Sequence, residues 1–136
     1  MEWIDGDYKL TDDVQQMDAK AIHALLQGTY WAAKRSLEQV ECSLKNSLCL
    51  GLFYDGRQIG IARVITDYAT FSYLCDVVVH PEHRGKGLGK WMTTTLVQHP
   101  AVEGIKMFLI TKDAQGVYRP LGFEKHPYEC MVKQVQ

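Results

Sequence analysis

Residues 77–90 read Val-Val-Val-His-Pro-Glu-His-Arg-Gly-Lys-Gly-Leu-Gly-Lys, a β-branched run followed by a polar loop and three alternating glycines among Arg84, Lys86 and Lys90. This order predicts a strand that feeds a glycine-rich turn and then opens a helix. Glycine lets backbone N–H groups point inward and approach a ligand closely. A helix N-terminus adds positive potential. Together they make an anion site suited to phosphate. A turn that merely starts a helix needs neither the repeated glycines nor the cations. Two known phosphate patterns fail on particular residues. The dinucleotide pattern G-x-G-x-x-G meets Lys90 where its third glycine belongs, and it falls late in the chain rather than at the first strand. The pattern G-x-x-x-x-G-K-[ST] meets Arg84 at its first glycine and Trp91 after Gly89-Lys90.

Other reactive side chains stand nearby. Asp76 directly precedes the valine run, where it either orients or deprotonates an ammonium or makes a strand-end hydrogen bond. Cys75 as a covalent nucleophile lacks an identifiable base, so an inert thiol is expected. His80 and His83 lie three residues apart, but two ligands do not make a metal site, and solvated rings are expected. Tyr30, Trp31 and Arg35 form an aromatic and cationic cluster suited to an aromatic or carboxylate-bearing amine; packing between two helices is an equal alternative.

Arg84, Gly87 and Gly89 fit R/Q-x-x-G-x-G/A, and the wider run V-x-P-x-x-R-G-K-G-L-G resembles the acetyl-CoA motif of the GNAT superfamily of N-acetyltransferases. Downstream, Tyr118-x-x-x-Gly122-Phe123 resembles that family's Y-x-x-x-G-F. The two motifs stand in the family's order, about a strand and a helix apart. The resemblance implies that N–H groups of Arg84, Gly85, Lys86, Gly87, Leu88, Gly89 and Lys90 cradle the CoA pyrophosphate. It implies that Val77, Val78 and Val79 pair with the pantetheine arm like a further strand. It places Tyr118 beside the CoA sulfur, as an acid for the departing thiolate. Many relatives carry a cofactor-contacting asparagine seven residues before this tyrosine; here Thr111 stands there, with a hydroxyl as substitute donor. Asp113 is counted on the cofactor side or as the N-cap of the next helix. Polyamine-type relatives carry a Glu-Asp pair where this chain has Cys75-Asp76, so the first acid is missing.

The implied chemistry is direct attack of a neutral primary amine on a bound thioester. Positioning of the two reactants dominates, and a backbone N–H near Val77–Val79 serves the developing oxyanion. The expected acceptor is a small-molecule amine. A non-catalytic acyl-CoA-binding module and an acetyltransferase of protein amines are the alternatives.

These groups need a scaffold. Asp18 starts a helix carrying Ile22, Leu25 and Leu26, with Gly28 as its stop. Ser36 and Gln39 form a capping box before Leu37, Val40 and Leu44. Strands are predicted at 48–54 and 58–66 around an Asp55-Gly56 type I′ turn, and at 71–79. A helix from Gly87 carries Leu88, Trp91, Met92 and Leu96, and Pro100 ends it. A buried strand at 107–110, a short helix at 114–119 and a last strand at 129–135 complete the chain. The order predicts an α+β fold with a mixed central sheet flanked by helices, in a single domain spanning 1–136.

Composition bounds the rest. With 16 acidic and 15 basic residues, the net charge of -1 gives no general attraction to nucleic acid or anionic membrane. The N-terminus has no apolar signal region, and no apolar run is long enough to span a bilayer. Four cysteines without a C-x-x-C pair point to a reduced, cytoplasmic protein without a metal. A monomer or homodimer is expected.

Overall fold

The computed structural model describes residues 1–135. One six-stranded sheet runs in chain order: β1 (Glu2–Asp5), β2 (Tyr8–Thr11), β3 (Leu48–Tyr54), β4 (Arg57–Thr66), β5 (Ser72–Val79) and β6 (Met107–Leu109). Neighbours are antiparallel from β1 to β5, and β6 joins β5 in parallel. The helices are α1 (Ala19–Gln27), α2 (Leu37–Lys45), α3 (Leu88–Val97) and α4 (Gln115–Tyr118). The chain therefore adopts the α+β fold with a mixed, helix-flanked sheet.

Local chemistry explains most boundaries. Asp18 caps α1 by accepting from the N–H groups of Lys20 and Ala21. Ser36 and Gln39 make the reciprocal capping box of α2. Asp55 and Gly56 take φ of 51° and 75°, as a type I′ turn between β3 and β4 requires. The α3 helix stops at Val97, and Pro100 instead opens a separate 3-10 turn, because the residue before a proline avoids the helical region.

The sheet is covered on both faces. Leu48, Leu50 and Leu52 of β3 share a cluster with Leu88, Met92 and Leu96 of α3. Cys49, Ile61 and Val78 pack on the other face with Ile22 and Leu26 of α1 and Val40 and Leu44 of α2. Each fully buried side chain of this kind stabilises the fold by roughly 1.5–3 kcal/mol.

The structure departs from the sequence expectations in three places. The β1–β2 hairpin was not foreseen, although Gly6-Asp7 between Asp5 and Tyr8 is a two-residue turn signal and Gly6 takes φ 59°. The strand expected at 129–135 does not form: 129–135 lies outside the sheet, with Met131 and Val132 exposed. Strand propensity needs a ladder partner to act on. Of the preceding residues, His126 approaches β6 instead, its ring centroid 5.4 Å from that of Phe108. The strand expected to be buried at 107–110 ends at Leu109 and is half-buried, with Ile110 beyond it exposed.

Candidate active site

The site grows from an irregularity in β5. Ile61 pairs with Val78 and Arg63 with Cys75, so the single residue Ala62 faces two, Asp76 and Val77. This β-bulge puts Asp76 at φ 54°, a left-handed conformation that aspartate tolerates better than most residues. Its side chain is turned into a buried cage. Arg35 donates Nη1–H to Oδ2, Arg63 donates from Nε and Nη2 to the same oxygen at 2.9 Å, and Trp31 donates Nε1–H to Oδ1 at 3.0 Å. Burial pushes the Asp76 carboxyl up, but the Arg35 hydrogen bond and the charges of Arg63 and Arg35 outweigh it and hold the group below the ordinary aspartate value.

Sequence reasoning assigned Tyr30, Trp31 and Arg35 to the acceptor side, and the structure brings all three to one cleft. It measures about 540 Å³ and is also lined by Arg63, Tyr73, Cys75, Asp76, Thr111, Asp113 and Tyr118. Tyr30 and Trp31 meet edge to face at 5.1 Å, and the Lys112 ammonium lies 5.6 Å from the Tyr30 ring centroid. Arg63 was missed. The available signal was a lone charge inside an apolar strand, which demands a buried partner. Cys75 lines the same cleft, with its thiol pushed up to about 11 by burial. Few thiolates then exist at neutral pH, in keeping with the inert thiol expected from the sequence.

The cleft opens where two strands part. Parallel pairing of β5 and β6 ends at Leu74 opposite Leu109, so from Cys75 to Val79 that edge of β5 has no strand partner. Tyr118, at the end of α4, is half-buried and borders this cleft and a second one of about 860 Å³ between β6 and residues 123–128. Burial raises the Tyr118 phenol above its ordinary value, so it is protonated at neutral pH. Thr111, not Asp113, braces the start of α4: its hydroxyl accepts from the Ala114 N–H at 2.9 Å, and no side chain caps the helix at Ala114.

At the far end of β5, the Arg84 guanidinium folds back to donate to the Val79 carbonyl at 2.9 Å. Gly85 and Gly87 take φ of 80° and 76°, and a Cβ at either would meet nothing within 4 Å. The loop is therefore open to solvent, outside both clefts. The N-terminus of α3 has no side-chain cap, so its first N–H groups face solvent and are accessible to an anion. Gly89 packs against Val79, with a Cβ placed 3.9 Å from its methyl. His80 accepts the Glu82 N–H, while His83 is not simply solvated: its Nδ1 shares a 3.0 Å hydrogen bond with the hydroxyl of Tyr8.

A strand bulged beside an uncapped, glycine-led helix, with a cleft where two parallel strands separate, defines the class of acyl-CoA transferases to which known proteins point. A model of the Acetyltransferase (GNAT) family matches residues 17–123. A GNAT-family protein of Xanthomonas campestris pv. campestris, solved by crystallography, is 40% identical, with a TM-score of 0.89 over 94% of this chain and 93% of that one. The Gibberella zeae protein FG08082, named as an acetyltransferase, is 30% identical over 85% of this chain and 78% of its own length. The "Histone acetyltransferase TAP1" of Glycine max is 30% identical over 82% of this chain, which spans 54% of that protein. The chain belongs to the GNAT acetyltransferase family and is an acyl-CoA-dependent N-acetyltransferase.

Proposed function

We propose that this protein moves the acetyl group of acetyl-CoA to the primary amine of a small molecule, by direct attack in a ternary complex. The observation that carries the reading is the divergence of β5 from β6, which joins the uncapped loop at one end to the 540 Å³ cleft and Tyr118 at the other. The residues present fit the cofactor. Donors of Arg84–Lys90 meet its phosphates, and the free edge of Val77–Val79 takes the pantetheine as a further strand. Thr111 contributes less, since its hydroxyl already serves the Ala114 N–H, and Asp113 faces the cleft.

Bound acetyl-CoA supplies an activated acyl thioester. The chain's part is to hold it, to aim the amine and to manage protons. Tyr30, Trp31 and Arg35 receive the acceptor. Backbone donors of Val77–Val79 face the developing oxyanion, and Tyr118 returns a proton to the departing sulfur. Asp76 already accepts from three residues, so it fixes Arg35 and Trp31 rather than taking the amine proton. The amine proton leaves to solvent, and activity rises with pH. Four free cysteines suit a reducing compartment such as the cytoplasm, and among the described residues no helix is long and apolar enough to cross a membrane.

Gly87→Glu tests the assignment. It puts a bulky anion on a left-handed backbone at the phosphate site. Calorimetry should show loss of acetyl-CoA binding in the folded variant; unchanged affinity would refute the site. A panel of small amines and lysine peptides, read by release of free CoA, then decides the acceptor class. Turnover on the peptides alone would favour the protein-amine reading.

A further inference from the structure

We propose that Tyr8, on the N-terminal hairpin, is a positioning residue for the phosphate-binding loop: its hydroxyl ties His83 and Lys86 together and holds the loop for the phosphates of CoA. The inference rests on the loop's assignment to CoA. The hairpin lies wholly before residue 17, where the family match begins, so the contact joins a segment outside the match to His83 and Lys86 inside it.

The topology explains why a remote residue is needed. In the sheet, β5 is separated from β2 by β4 and β3. After Val79 the chain turns back over these strand ends and reaches the tyrosines at the near ends of β2 and β3. Tyr8 pairs with Tyr54 across the ladder, and their rings lie 5.0 Å apart. His83 sits against both, with its ring 5.7 Å from Tyr8 and 5.0 Å from Tyr54. The Tyr8 hydroxyl meets His83 Nδ1 at 3.0 Å and receives Lys86 Nζ at 3.3 Å, while the Lys86 ammonium lies 5.9 Å from the Tyr8 ring centroid.

The direction of these bonds follows from chemistry. An ammonium can only donate, so the phenolic oxygen accepts from Lys86, and its one proton and second lone pair serve either tautomer of His83 at Nδ1. Lys86 stands between Gly85 and Gly87, both at positive φ, and neither neighbour has a side chain to brace it. A free lysine surrenders most of its rotamer entropy when it meets a phosphate. A lysine already leaning on Tyr8 surrenders less, and His83 fixes the loop that carries it.

Tyr8→Phe removes the hydroxyl and keeps the ring, so it isolates the proposed contact. Calorimetric titration with CoA should give a Kd raised about three- to tenfold, the range of one or two weakened hydrogen bonds. The melting temperature should stay within about 2 °C of the parent. In a Lys86→Met background, Tyr8→Phe should change the Kd by much less, because the two act through one contact. An unchanged or tighter Kd for Tyr8→Phe overturns the proposal, as does an undiminished effect in the Lys86→Met background. If Tyr8→Phe lowers the melting temperature, His83→Phe takes its place; it keeps an aromatic ring but cannot hydrogen-bond Tyr8, and must weaken CoA equally. Failure of the parent protein to bind CoA would instead refute the loop assignment itself.

Discussion

Asp76→Asn is the sharpest probe of the site. The aspartate is 4% exposed and accepts from Arg35, Arg63 and Trp31. Asparagine keeps one oxygen for Trp31 but turns an N–H₂ toward two guanidinium groups. Removing one partner of a buried ion pair costs about 3–5 kcal/mol, because the surviving charge is left uncompensated. The Arg63 side chain is 9% exposed and has nowhere to go, whereas Arg35 at 29% can turn partly to water. The lower end, about 3 kcal/mol, is therefore expected. With a melting entropy of about 2.1 cal/mol/K per residue, a chain of 136 residues should lose about 10 °C in melting temperature. The pH dependence carries a sign. The folded-state pKa of Asp76 is depressed, so its contribution is complete above the unfolded value of about 3.9 and disappears as pH falls through the lower folded value. The gap between parent and variant should stay constant from about pH 8 to pH 5 and close below about pH 4. Thermal melts across this range, with acceptor KM measured on the same variant, give the test. A melting temperature within about 2 °C of the parent together with a raised acceptor KM would show that the carboxylate faces substrate and that the cage reasoning is wrong.

Tyr118→Phe should preserve CoA affinity and lower turnover by about 10²–10⁴-fold, the usual worth of a general acid; full turnover would remove Tyr118 from that role. Because burial raises its pKa, the parent's rate should not decline on the alkaline side before about pH 10, as a pH–rate profile can check. Iodoacetamide at pH 8 should label the exposed Cys42 and Cys130 quickly and spare Cys49 and Cys75, so intact-mass analysis showing rapid modification of Cys75 would contradict its raised pKa. Ser36→Ala removes the capping box of α2 and should cost about 1 kcal/mol in denaturant melts, with activity retained.

What the sequence determined by itself was local. The capping box at Ser36, the turn at Asp55-Gly56 and the glycines of 85–89 depend on neighbours within a few residues, because caps and left-handed turns are satisfied by nearby backbone groups. The glycine-rich loop and Tyr118 stood out as candidates for a similar reason: each sits in a short motif whose spacing is itself the signal. Asp76 was visible, but its role was not. Its partners stand 45, 41 and 13 residues away in sequence, and only folding brings them to one carboxylate. The bulge that turns it inward is a register slip between two strands, which neither strand's own residues announce. The hairpin holding Tyr8 was missed although its turn was written in Gly6-Asp7, and the meeting of Tyr8 with His83 spans 75 residues. The tail at 129–135 shows the converse: it has strand-forming residues, and the outer edge of β6 is instead met by His126 and its neighbours. Local propensity proposes elements, but ladder partners and buried charge pairs exist only where the whole chain has packed, and these decide which carboxylate is free and which is caged.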